Sequence, residues 1–161
     1  MFRMQRPAML LALVAVTFAH AGDEKKVVGT YRLVERVSLD GKTHKKPPEV
    51  LGSTTFSKTQ RSIIMKWETP EGEPVSIAMI TRYTLSGGKF CEAEEYGVQT
   101  NLGGPGVAYD KPVSEPVCTA AMRDAAGFAF DVPGEKIRIQ IVRDGMISTT
   151  ARWVDHWEKV K

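Results

Sequence analysis

Residues able to do chemistry are few in this chain, and the densest group is Glu92, Glu94 and Glu95 within KFCEAEEYGV. Glu92 and Glu94 share parity with Phe90 and Tyr96 on an extended segment. If that face points inward, two acids line a cavity among aromatics, and desolvation with mutual repulsion raises their pKa values. Such a pair could do acid–base work or hold a cationic ligand. The opposite parity buries Cys91 and Ala93 and leaves the acids in water, and this solvated arrangement is the expected one because carboxylates rarely sit inside unpaired. An enzyme using Glu92 and Glu94 is therefore the minor reading.

The other chemistries lack their parts. His44 lies in a basic loop and His156 stands between Asp155 and Trp157, with no Cys-x-x-Cys or His-x-x-x-His spacing to make a zinc site, so no metal is expected. No Gly-x-Ser-x-Gly elbow is present. Gly103-Gly104-Pro105-Gly106 lacks the Lys-Ser/Thr of a phosphate-cradling loop and reads as a flexible turn. The expectation is no catalytic residue, no cofactor and no enzyme.

Compartment is more legible. Arg3 and Arg6 precede the apolar run Pro7 to Ala19, and Ala19-His20-Ala21 offers a small-x-small cleavage pattern, so residues 1–21 read as a cleaved signal peptide. A run of that length falls short of the ~20 apolar residues that span a bilayer, so no stable membrane insertion is expected after cleavage. The product would be periplasmic or extracellular. Removing Arg3 and Arg6 lowers Lys+Arg from 22 to 20 against 19 Asp+Glu, which leaves no basic stripe for nucleic acid. Cys91 and Cys118 are the only two cysteines, an even count compatible with a disulfide in an exported chain; two free buried thiols are the alternative.

The elements that must position these residues are short strands. At 161 residues with 42% hydrophobic content there is room for one domain, here residues 22–161. Val27 to Val37 alternates, with Tyr31, Leu33 and Val37 on one face and Thr30, Arg32 and Arg36 on the other. Asp40-Gly41 is hairpin chemistry. The stretch Lys42 to Glu49, with two prolines, reads as an exposed loop or edge. Leu51 to Lys58 and Ser62 to Trp67 follow as strands, the second placing Ile63, Met65 and Trp67 together. Val75 to Leu85 has the cleanest period of two, with Val75, Ile77, Met79, Tyr83 and Leu85 in phase. Gly87-Gly88 turns the chain into Lys89 to Val98. Gln99 to Pro116 is the longest irregular stretch and a candidate rim or lid. Strands then run over Val117–Met122, Gly127–Val132, Lys136–Arg143 and one long, bent final strand, Met146–Val160. The fold class expected is all-β, an antiparallel up-and-down meander closed into a barrel of eight to ten strands.

The Gly29-Thr30-Tyr31 opening just behind a leader, followed by Arg32-Leu33-Val34 and an Asp-Gly-Lys turn, resembles the lipocalin-like (calycin superfamily) domains of bacteria. There the first strand carries Gly-x-Trp, and Tyr31 stands here where Trp is usual. The resemblance implies that Tyr31 plugs the closed end of a cup and that a basic side chain near the last strand lies across its ring, Arg152 first and Arg143 second. It implies a small hydrophobic or amphipathic ligand in the cup, or an exported protein partner bound through the loops. It carries over no catalytic residue. Trp67, Met79, Tyr83, Phe128, Phe130 and Trp153 are the expected interior set and candidate cavity lining.

Overall fold

The computed structural model describes residues 17–18, 24–69, 71–112, 115–124 and 127–161. It is all-β apart from one turn of helix, α1 (Glu24–Val27). The strands are β1 (Thr17–Phe18), β2 (Gly29–Ser38), β3 (His44–Lys45), β4 (Val50–Phe56), β5 (Gln60–Glu68), β6 (Pro74–Ser86) and β7 (Lys89–Thr100). Then come β8 (Val107–Tyr109), β9 (Val117–Asp124), β10 (Gly127–Asp131), β11 (Arg138–Val142), β12 (Gly145–Thr149) and β13 (Trp153–Lys159). The expected leader lies outside the described residues except for Thr17–Phe18, which pairs with Met122–Arg123 of β9.

Ten strands close an antiparallel barrel in the order β2-β4-β5-β6-β7-β9-β10-β11-β12-β13, with β13 returning to β2 from Trp153↔Ser38 to Lys159↔Tyr31. The shortest ladders of the barrel, at β2–β4, β9–β10, β10–β11 and β7–β9, are four pairs long, and β7–β9 joins two of the longer strands. There only Lys89–Glu92 pairs with Val117–Ala120, after which β7 turns to β8 through Val98↔Tyr109. The Cys91–Cys118 disulfide bridges directly opposed residues in that short ladder and so staples a thin seam of the closure.

Three expectations shift. Met146–Val160 is two strands, because Thr150 Oγ1 accepts the backbone N–H of Trp153 (2.9 Å) and turns the chain at Thr150–Arg152. Part of Gln99–Pro116 is strand, namely the end of β7 and β8. In β2 the pairing moves from His156↔Glu35 to Trp157↔Leu33, so Val34 is bulged. A bulge reverses the facing of every later side chain. Arg36 therefore turns inward, 7% exposed, and Val37 takes the outer side.

Candidate functional site

The closed end is solid. Gly29 begins β2 at φ +153, and a Cβ there would meet Lys159 Cε at 2.4 Å, so glycine is what lets the lysine cross. Lys159 Nζ donates to the Val28 carbonyl (2.8 Å) and sits 5.5 Å from the Tyr31 ring centroid. The cation over Tyr31 is thus Lys159. Arg152 lies on the β12–β13 turn at the opposite end of the barrel, and Arg143 on the β11–β12 turn; the break at Thr150–Arg152 carries β13 down to the closed end and puts Lys159 across from Tyr31. Tyr31 is fully buried, its hydroxyl donates to the Val27 carbonyl (2.9 Å), and burial pushes its pKa up to about 12. Behind it Phe56, Tyr83, Phe90, Phe128 and Phe130 interlock, with Phe90 and Phe130 stacked at 4.1 Å.

Above this plug the barrel is hollow. A cavity of about 350 Å³ is lined by Ile63, Met65 and Trp67 of β5, Ile77 and Met79 of β6, Ile139 of β11, Met146 and Ser148 of β12, and Trp153, Asp155 and Trp157 of β13. Leu102, Glu135, Ile137, Thr150 and Arg152 form its mouth. All three tryptophans of the chain face this one space. Of the aromatic and Met residues expected to line a cavity, Trp67, Met79 and Trp153 do so, whereas Tyr83, Phe128 and Phe130 belong to the plug.

Two buried ion pairs mark its depth. On the floor, Arg61 donates Nε and Nη2 to Glu92 (2.7 and 3.0 Å), and Thr81 Oγ1 adds a hydrogen bond to the same carboxylate. Six residues further along β5, roughly 20 Å at a strand's rise, Trp67 stands near the mouth. There Arg36 donates Nε and Nη2 to Asp155 (2.7 and 2.8 Å), its guanidinium 5.3 Å from the Trp67 ring and 5.7 Å from the Trp153 ring. Both pairs are bidentate and nearly sealed, with side-chain exposures of 9%/3% and 5%/6%.

Glu92 and Glu94 thus face inward, against the solvated expectation, and for Glu92 the reason is that Arg61 supplies the counter-ion that burial requires. Tyr96 does not join them: Ile80 pairs with Tyr96 and Thr81 with Glu94, so Glu95 is bulged and Tyr96 turns out to 47% exposure. Glu94 Oε1 is buried without a hydrogen-bond partner among the described residues. Its carboxyl is raised, first by desolvation and then by Asp110, Glu135 and Glu92, with Arg61 opposing. Gly97 makes room here, since a Cβ on it would lie 2.5 Å from both the Glu94 and Asp110 carboxylates. Glu135, exposed on the lip yet enclosed by neighbouring protein, is raised by desolvation as well, with Arg61 opposing and Glu92 and Asp110 adding.

Sequence reasoning missed Arg36, Arg61, Ser148 and Asp155. A signal existed for two of them. Asp155 sits between Trp153 and Trp157 at inward parity, and Arg61 extends the Ile63, Met65, Trp67 series by one step. Compared with protein-family models, curated proteins and solved structures, the chain finds no match. What the arrangement can do must be read from its own geometry: a dry-walled cup with two fixed charge pairs, consistent in its closed ten-strand form with a lipocalin-like fold.

Proposed function

We propose that this is an exported, lipocalin-like protein that binds a small hydrophobic or amphipathic molecule in the open half of its barrel and performs no catalysis. The observation that carries the reading is the cavity of about 350 Å³, enclosed by Ile, Met and Trp side chains above a solid aromatic floor. A concave, mostly apolar space with a few placed polar groups is the usual form of a small-molecule site. Glu92 is held by Arg61 and Thr81, which fits a structural carboxylate better than an acid–base catalyst. Export is supported by the leader pattern of residues 1–21 and by the Cys91–Cys118 disulfide, a bond at home in oxidising compartments. The test is a titration with the neutral dye N-phenyl-1-naphthylamine. Saturable one-to-one binding with quenching of tryptophan emission is expected. A folded protein that shows no saturable signal overturns the proposal.

A second reading, an exported protein partner bound on the outer surface, has one observation in its favour. Ile64, Ala78, Val98 and Tyr109 pair in a row across the outer face of β5 to β8, beside Ile80 and Tyr96. Ile64 and Tyr109 are 62% and 70% exposed. This reading expects Ile64→Glu to abolish a crosslinked complex while dye binding persists; dye binding lost together with the complex would count against it.

A further inference from the structure

We infer that the molecule taken into the cup is headed by a carboxylate, which docks against a row formed by Arg36, Asp155 and Ser148 with Arg152 above it; the inference rests on the cup reading and sharpens it.

The strand register makes the row. Ser148 of β12 lies opposite Asp155 of β13, and Asp155 lies opposite Arg36 of β2, so the three stand side by side at one height on one wall. All three line the cavity. Their hydrogen-bonding capacity is unevenly committed. Each Asp155 oxygen already accepts an N–H from Arg36, through Nε and Nη2. That leaves Arg36 Nη1 with two N–H groups and no acceptor among the described residues. Among buried side-chain atoms there, the one sealed without a partner is Glu94 Oε1, so Arg36 Nη1 opens onto the cavity. Ser148 Oγ accepts the indole N–H of Trp157 (3.0 Å), so its own proton points elsewhere, and no described residue receives it. The wall therefore offers uncommitted donors on Arg36 and Ser148, while each of its acceptor oxygens already receives one hydrogen bond.

Charge agrees with this donor surplus. Arg36 and Arg152 face Asp155 alone on this wall, and Arg152 makes no ion pair among the described residues. The remaining ionic groups lining the cavity are Arg61 on the floor, held by Glu92, and Glu135 on the lip, which shares a shallow surface hollow with Arg152 but makes no ion pair with it among the described residues. An oxyanion at Arg36 and Ser148 would receive charge-assisted hydrogen bonds beside the Trp67 and Trp153 rings that flank the guanidinium. The apolar body would then run down the Ile63, Met65, Ile139 and Met146 surfaces toward the floor.

Three probes of equal length and different heads test the inference: decanoate, decan-1-ol and decylamine, each titrated against tryptophan emission. Decanoate is expected to bind about tenfold tighter than decan-1-ol, a difference typical of one charge-assisted contact, and decylamine weakest. Arg152→Gln, on an exposed turn where folding is unaffected, and Ser148→Ala should each weaken decanoate several-fold and leave decan-1-ol unchanged. Decan-1-ol matching decanoate, decylamine exceeding it, or both variants weakening acid and alcohol alike would overturn the inference while leaving the cup reading intact. If none of the three binds, the cup reading falls, and this inference falls with it.

Discussion

The two halves of the barrel are made from the same strands and the same period-two alternation, yet one is packed solid and the other is hollow. Along β6 the inward residues run Val75, Ile77, Met79, Thr81, Tyr83 and Leu85; the first three belong to the open half, and Tyr83 and Leu85 belong to the plug. What changes between them is the size and rigidity of the partners that neighbouring strands bring to the same height. Phe56 and Phe90 meet Tyr83, and Tyr31 and Phe130 pack in turn on those rings, leaving no space, as aromatic rings in edge and stacked contacts do. Ile and Met leave a gap, and Arg61–Glu92 fixes the level at which the packing stops. A barrel's hollow is thus set by which strands contribute aromatics at a given depth, while the alternation along β5 and β6 is the same in both halves.

That contrast can be broken in several ways. The largest expected effect is in the plug: Phe130→Ala should cost about 3–5 kcal/mol in urea or thermal unfolding, as for fully buried aromatics. Met79→Ala, on the wall of an existing void, should cost less than about 2 kcal/mol, because little new cavity is created. Equal costs would mean that the two halves are packed alike. At the boundary, Glu92→Leu should cost about 3–5 kcal/mol by leaving Arg61 buried without its carboxylate, and adding Arg61→Met should recover much of that loss. A double variant as unstable as the single would refute this account of the boundary.

Smaller effects come from the seam and the crossing cation. Replacing Cys91 and Cys118 by serine should lower stability by about 3–4 kcal/mol in the chain-entropy description, with backbone exchange rising first along Lys89–Glu92 and Val117–Ala120. Exchange rising evenly around the barrel would contradict a weak seam. Lys159→Met should cost about 0.5–2 kcal/mol through the lost cation–ring contact, whereas Arg152→Met should leave the unfolding midpoint unchanged. The least effect concerns pH. Glu94 has a raised folded-state pKa, so the folded chain holds its proton above the ordinary 4.5 and stability falls as pH rises from there through the raised value. Glu94→Gln should therefore stabilise at neutral pH and do nothing below about pH 4, where the carboxyl is protonated in both states. A gain that persists unchanged into acid would point to a cause other than ionisation.

How much of this was legible in the sequence follows from where parity holds. β5 and β6 keep strict alternation, so Ile63, Met65, Trp67 and Met79 are placed correctly by counting. The disulfide and the turn at Gly87-Gly88, both glycines at positive φ, are local features that composition reveals. Arg36 could not be placed by counting. The bulge at Val34 is specified by tertiary pairing with Trp157, and nothing in VVGTYRLVERV announces an extra residue. Continuous strand propensity places Arg152 at the wrong end for a similar reason. The turn at Thr150 splits what reads as continuous β propensity, which sends Arg152 to the mouth and leaves Lys159 for the Tyr31 ring. Glu92 was expected in water because its counter-ion stands 31 residues away in the chain, a pairing that only the closed sheet brings together.

The most direct test of a hollow half above a solid one uses the single strand that runs through both. Met79→Cys and Leu85→Cys place one free thiol each on the inner face of β6, in the cup and in the plug respectively, with Cys91 and Cys118 held in their disulfide. In the native protein the cysteine at 79 is predicted to react with a small neutral thiol reagent orders of magnitude faster than the one at 85, and saturating decan-1-ol should slow it. Equal protection at both positions, or reaction at 79 only at the rate of global unfolding, would contradict the account.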